Sequence, residues 1–165
     1  MESLSVRLAV LGDAEAIQAI YNREVTETTV TFDLVPRTLA DQEAWLSART
    51  GAHPAIVAVD GGRTVVGFAS LSPYRDRPAY NTTVEDSVYV HADHRSRGVG
   101  RLLLEELIRV GTAHGFHAVM ARIVGGHQAS IALHSSCGFR EVGIEREVGR
   151  KFGRWLDVVL MERLF

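Results

Sequence analysis

A chain of 165 residues with an ordinary share of apolar side chains is long enough for a single domain, residues 1–165, with its own core. A formal net charge of −2 speaks against a general nucleic-acid binder, and no apolar run reaches the roughly 20 residues of a membrane span. One cysteine, Cys137, rules out an intrachain disulfide, and Met1–Leu11 lacks the apolar core of a signal peptide, so a soluble cytoplasmic protein is expected.

Ser5–Val10 reads as a first strand. Gly12–Val25 reads as a helix capped by Asp13, because Ile17, Ile20 and Tyr21 recur at helical spacing. A second helix is predicted over Thr38–Arg49, with Thr38 as its cap and Pro36 just ahead. Two apolar runs, 54–60 and 63–74, flank Gly61-Gly62, a hairpin signal. Thr82–His91 is β-branched and alternating, hence a strand. A helix follows to about His114 and is ended by Gly115, then a strand over Phe116–Val124. Ala129–Ser136 is a short helix closed by Gly138. Cys137, followed by Gly-Phe, reads as packing rather than as a nucleophile. Phe139–Val148 and Trp155–Phe165 supply the last strands. The order βααβββαβαββ predicts a mixed α/β domain with helices packed on a largely antiparallel sheet.

Between the strand at 82–91 and the next helix stands Arg95-Ser96-Arg97-Gly98-Val99-Gly100-Arg101. A dinucleotide fingerprint would need glycine where Leu103 stands, and a Walker A loop would need Lys-Ser/Thr where Arg101-Leu102 stands. What remains is a glycine-arginine turn at a helix start, where free amides and the positive dipole end suit phosphate oxygens. Side chains at 98 and 100 would obstruct such a ligand. A tight β–α turn with solvated arginines is the alternative. In the preceding strand Glu85 shares a face with Thr83, Ser87 and Tyr89, and a carboxylate in so apolar a strand is costly unless paired or working.

The turn, with Ser130–Phe139 (SIALHSSCGF) downstream, resembles the GNAT superfamily of N-acetyltransferases. Ile20–Val25, Thr31–Asp33, Arg77–His91 and Glu147–Met161 are similar to its phosphinothricin, methionine sulfoximine and methionine sulfone acetyltransferase branch, and the similarity runs from about Val6 to Met161. The resemblance implies a GNAT fold and acetyl-CoA as co-substrate, its pyrophosphate held by residues 95–101, with no metal. It implies Glu85 as general base, acting through water, and a bulge at Val88-Tyr89-Val90 that frees the Val90 N–H for the thioester oxygen. A structural ion pair is the other reading of Glu85.

His134 stands where many members have a tyrosine acid. His127 stands where asparagine usually contacts the pantetheine arm, so it either keeps one hydrogen bond there or is a solvated loop histidine. The loop Ser72–Tyr80, with Arg75, Asp76 and Arg77, would hold the carboxylate and polar head of an amino acid; otherwise it is a solvated basic loop. Phe32 would cover the acceptor or belong to the core. Lys151, with Arg154, would approach the site of a partner in a homodimer or be a solvated hairpin charge. The function implied is acetylation of a small amino acid's α-amine, as in detoxification. Acetylation of another small amine or a peptide N-terminus, or non-catalytic acyl-CoA sensing, are the alternatives. No nucleic acid or membrane partner is expected.

Overall fold

A computed structural model describes residues 3–49, 51–61 and 63–165; Gly62 of the expected hairpin turn lies outside them. Strands and helices follow in the predicted order: β1 Ser5–Leu8, α1 Ala14–Glu27, α2 Leu39–Ser47, β2 Ala55–Val59, β3 Val65–Pro73, β4 Thr83–Val90, α3 Val99–Ala113, β5 Ala118–Val124, α4 Gln128–Ser136, β6 Arg140–Lys151 and β7 Arg154–Leu164. The strands form one seven-stranded sheet, ordered β1-β2-β3-β4-β5-β7-β6. Neighbours are antiparallel except β4 and β5, which are parallel and joined through α3, as a parallel pair requires.

Both faces of the sheet's first half are covered. Ile56, Ala58, Val66, Ala69 and Val84 pack with Leu103, Leu104 and Leu107 of α3, together with Val119, Ala121, Ile123 and Met161. On the other face Val57, Val59 and Phe68 pack with Ile17, Ile20, Tyr21 and Val25 of α1 and Leu46 of α2. This is why β2 reads as an unbroken apolar run rather than an alternating one.

Thr38 caps α2 as expected: its hydroxyl accepts from the Asp41 N–H at 3.1 Å while the Asp41 carboxylate accepts from the Thr38 N–H at 3.0 Å. Asp13 does not cap α1. Its carboxylate pairs with Arg7 at 2.7 and 2.8 Å and accepts from the Val10 N–H at 2.8 Å, closing the 3-10 turn that leads into α1. A cation on β1 outcompetes the helix amides for it, and this pairing holds its pKa below the usual range despite partial burial.

The feature that makes the site is a divergence in the sheet. Register between β4 and β5 runs only Thr83↔Ala118, Val84↔Val119 and Glu85↔Met120. Beyond it β4 continues with β3 and β5 continues with β7, so the two halves open like a V. The bulge expected at residues 88–90 is absent, because the β3–β4 register is unshifted from Gly67↔Val90 to Pro73↔Val84.

Candidate active site

A cavity of about 840 Å³ fills the opening of the V, within the range of small-molecule sites. Glu85 to Val90 line it from β4 and Ala121 to Val124 from β5. The 95–101 turn, α4, the C-terminal end of α1 and the loop after it complete the wall. The His91 N–H donates to Val66 O at 2.9 Å, so odd-numbered residues of β4 direct their backbone groups at β3. Alternation turns the N–H groups of Val88 and Val90 toward the side that β5 has left. Divergence therefore does what the bulge was expected to do.

At the turn, Gly98 is the N-cap of α3 with φ +83°, a left-handed conformation suited to glycine, and a Cβ built there meets nothing within 4 Å. The first intrahelical bond is Leu102 N–H to Gly98 O, at 3.0 Å, which leaves the amides of Val99, Gly100 and Arg101 without helix partners. Gly100 has a packing constraint beside the expected one: a Cβ there would stand 3.1 Å from the Leu133 side chain of α4. Its missing side chain serves helix packing. Ser96, Gly98, Val99, Gly100 and Arg101 line the cavity; Arg97 is exposed and does not. Arg101 is bonded along the helix to Glu105 at 2.7 Å. Arg95 lines the cavity with its guanidinium paired to the buried carboxylate of Glu24 on α1.

Glu85 is half-buried on β4, opposite Ser72 of β3 and Met120 of β5. Burial raises its pKa above the ordinary carboxylate range; Arg122 is the strongest of the charges pulling it back down, Arg75 a weaker one. Among the described residues it makes no hydrogen bond or ion pair, in contrast to the structural pairing that was the alternative. The next residue faces the other way. Asp86 is buried and meets His134 of α4, with 2.8 Å between Oδ2 and Nε2. His134 Nδ1 lies 2.8 Å from Ser130 O, which can only accept. Burial alone would lower the His134 pKa, but the Asp86 bond and charge and the Ser130 carbonyl outweigh it and leave it raised. The imidazolium form satisfies both neighbours. His127, half-buried on the cavity, is held neutral by burial, which lowers its pKa.

The loop after α1 supplies another part of the wall. The Tyr21 hydroxyl bonds Thr31 at 3.0 Å and also Asp33. Tyr89 packs edge-on to Tyr21 with ring centroids 5.2 Å apart and stacks on Phe68 at 5.1 Å. Phe32 lies on the cavity with its ring against Gly149 of β6. Lys151 differs from the expectation. It is 3% exposed, and its Nζ donates to Thr31 O at 2.8 Å and Glu24 O at 3.4 Å. It ties the loop after α1 to β6, and in this chain its ammonium is buried and bonded where a solvated or outward-reaching charge was expected. The loop carrying Arg75, Asp76 and Arg77 stands off the lining, and the Arg75 guanidinium lies 5.0 Å from the Tyr74 ring centroid.

Among the cavity residues that escaped the sequence reading are Glu24, Asp86 and Arg122. Glu24 and Asp86 left a signal. Each is a carboxylate on an apolar stripe, Glu24 after Ile17, Ile20 and Tyr21, and Asp86 between Val84 and Val88. Arg122 left none, since it alternates outward as a strand arginine ordinarily does.

The sequence profile of the acetyltransferase (GNAT) family matches residues 17–139. The chain belongs to the GNAT family. It is 42% identical over 161 residues to the L-methionine sulfoximine/L-methionine sulfone acetyltransferase of Pseudomonas paraeruginosa, covering 97% of this chain and 94% of that one. It is 41% identical over 163 residues to the phosphinothricin N-acetyltransferase of Streptomyces coelicolor, covering 97% and 95%. The crystal structure of a GNAT superfamily phosphinothricin acetyltransferase from Sinorhizobium meliloti, in complex with AcCoA, superposes with a TM-score of 0.94 at 39% identity, over 98% of this chain and 88% of that one.

As a GNAT member the chain is an N-acetyltransferase with acetyl-CoA as its co-substrate. The cavity fits that molecule: open space at Gly98 beside the free amides of α3 suits the pyrophosphate, and the V between β4 and β5 suits a narrow arm. No group of three or more His, Cys, Asp or Glu is placed to hold a metal among the described residues, and no helix among them is long and apolar enough to cross a membrane.

Proposed function

We propose that this GNAT enzyme acetylates the α-amine of a small amino acid with an oxygen-rich side chain, of the methionine sulfoximine, methionine sulfone or phosphinothricin kind, by direct transfer. The observation that carries the reading is Glu85: a half-buried, unbonded carboxylate of raised pKa where the strands part. A free α-ammonium has a pKa near or above about 8, so a positioned base matters at neutral pH. Glu85 takes the proton, directly or through water. The amine lone pair then attacks the thioester carbonyl, the N–C bond forms, the nitrogen gives up its second proton to the departing thiolate or to water, and the C–S bond breaks. The Val90 N–H stands ready for charge growing on the carbonyl oxygen, a contribution of about 3–4 kcal/mol in comparable sites. A thiolate with a pKa near about 8.5 can leave without a dedicated acid, and His134, bonded on both nitrogens, is held in place rather than free to donate.

Residues 95–101 hold the pyrophosphate, with Arg95 and Arg101 as its cations. His127 contacts the pantetheine arm, Phe32 covers the acceptor side chain, and Arg75 reaches its polar head. The relatives' substrates named above support this acceptor class. A homodimer in the cytoplasm, with a role in detoxification, belongs to the same reading; the exposed Val142, Ile144, Val148, Phe152 and Trp155 of the β6–β7 hairpin support a protein contact there.

A thiol-release assay across free amino acids, their sulfoximine, sulfone and phosphinate analogues, simple amines and peptide N-termini tests it. Preference for the oxygen-rich amino acids is expected. Equal or better turnover of peptides would overturn the acceptor class, and acetyl-CoA binding with no turnover of any amine would leave a sensor.

A further inference from the structure

The acceptor end of the cavity contains one cation on its wall that the reading above does not use. Arg122 lies on β5 two residues past Met120, the last β5 residue registered with β4. Glu85 and Met120 are paired, so their side chains share a face, and alternation puts Arg122 on that face as well, one step into the opening. It lines the cavity, as Arg75 and Arg77 do not. Its neighbours on the face are Val124 along the strand and Leu160 across it. An arginine in such a setting needs a carboxylate, and it has one. Nη1 and Nη2 donate to the two oxygens of Glu145 on β6, at 2.7 and 3.0 Å. Both side chains remain about a third exposed, at 32% and 30%. The fork is thus formed and oriented, but not sealed from a ligand.

The chemistry of an α-amino acid then narrows the choice. Its ammonium and carboxylate hang on one carbon, so a cation for the carboxylate must stand close to the base that serves the ammonium. Arg122 exerts the largest effect of any charge on Glu85. We propose that Arg122 receives the α-carboxylate of the acceptor, and that Glu145 is a resident carboxylate which this group displaces. Arg75, which already acts electrostatically on Glu145, offers the displaced side chain a second cation. Arg122 thereby becomes a specificity-determining residue that separates free amino acids from simple amines and peptides. The inference rests on the proposed acceptor class.

Its test is a pair of variants and a pair of acceptors. Methionine sulfone and its α-carboxamide are compared at saturating acetyl-CoA and one fixed pH of about 8, well above the titration of the acceptor's own α-carboxylate. Arg122→Met is expected to raise KM for the acid roughly 10–100-fold, the usual worth of a charge-assisted fork, and to move the amide far less. Glu145→Gln, which removes the competitor, is expected to lower KM for the acid several-fold. The opposite signs are decisive: a strap that merely braces β5 against β6 is broken by either substitution and moves KM the same way in both. Equal penalties on acid and amide in Arg122→Met would likewise overturn the proposal.

Calorimetry of both acceptors in the presence of CoA reads the same preference without turnover. Binding of the acid that depends on Arg122, with no acetyl transfer, would sink the proposed reaction and keep the carboxylate site. Transfer with an unchanged acid-to-amide preference in Arg122→Met, or binding of the acid that is indifferent to Arg122, would do the reverse.

Discussion

The two ends of the cavity are built of different material. In the proposed cofactor region the distinctive groups are backbone: free amides of α3, N–H groups of Val88 and Val90, and a glycine with φ +83°, with Arg95, Arg101 and His127 beside them. The proposed acceptor region is made of side chains from distant parts of the chain, Phe32, Glu85 and Arg122, the last bonded to Glu145. A backbone site is written locally, in glycine spacing beside a helix start, and survives changes in its neighbours. A side-chain site is written across strands, and a single substitution alters what it accepts. A family can therefore share one co-substrate while its members differ in acceptor.

The largest expected effect falls at the acceptor end. Glu85→Gln keeps shape and removes basicity, and kcat at pH 7 should fall about 10²–10⁴-fold with acetyl-CoA affinity little changed. Wild-type turnover should show an acid limb above the ordinary carboxylate range, since burial raises the Glu85 pKa, and this limb should vanish in the variant. Part of the loss should return at high pH, where the amine is already neutral. Full turnover at pH 7, with chemistry shown to limit the rate, would leave Glu85 a structural carboxylate and turn attention to His91 or water.

Next is the buried Asp86–His134 pair. Leaving one partner of a buried pair alone costs about 3–5 kcal/mol, so Asp86→Asn should lower Tm by roughly 6–20 °C in calorimetry. His134 has a raised pKa in the folded chain and an ordinary one near 6.5 unfolded, so folding binds a proton between the two. Its contribution is complete below about pH 6.5 and is lost as pH rises through the folded value. In Asp86→Asn that loss with rising pH should flatten.

The smallest effects sharpen the cofactor end, where the two glycines should separate. Gly98→Val introduces a β-branched residue at positive φ and a side chain into ligand space, and the acetyl-CoA Kd should rise roughly tenfold or more. Gly100→Ala presses on Leu133 and should cost about 1 kcal/mol of stability with Kd nearly unmoved. If both variants weakened acetyl-CoA equally, the turn would be one ligand surface after all.

The fold was legible because its signals are local. Helical spacing, alternation in 82–91 and the Thr38 cap each act within a few residues, and the order of elements follows from them. What escaped detection depends on partners far along the chain. Asp13 pairs with Arg7 of β1 rather than capping α1; Lys151 meets carbonyls at 24 and 31; Asp86 meets His134. No periodicity states such pairings, because hydrogen-bond competition decides them only after the sheet has formed. At Gly100 the sequence shows that a side chain is missing but not that Leu133 of α4 also needs the space.

The parting of β4 from β5 has a further thermodynamic side. A sheet ordinarily pairs its own amides, and this one holds some back along one line. Whatever pairs with them there binds the folded chain and not the unfolded one, so the enzyme draws stability from its own substrate: about 2.7 kcal/mol when the ligand stands at a hundred times its Kd. A cell rich in acetyl-CoA would hold this protein folded more firmly than the bare chain holds itself.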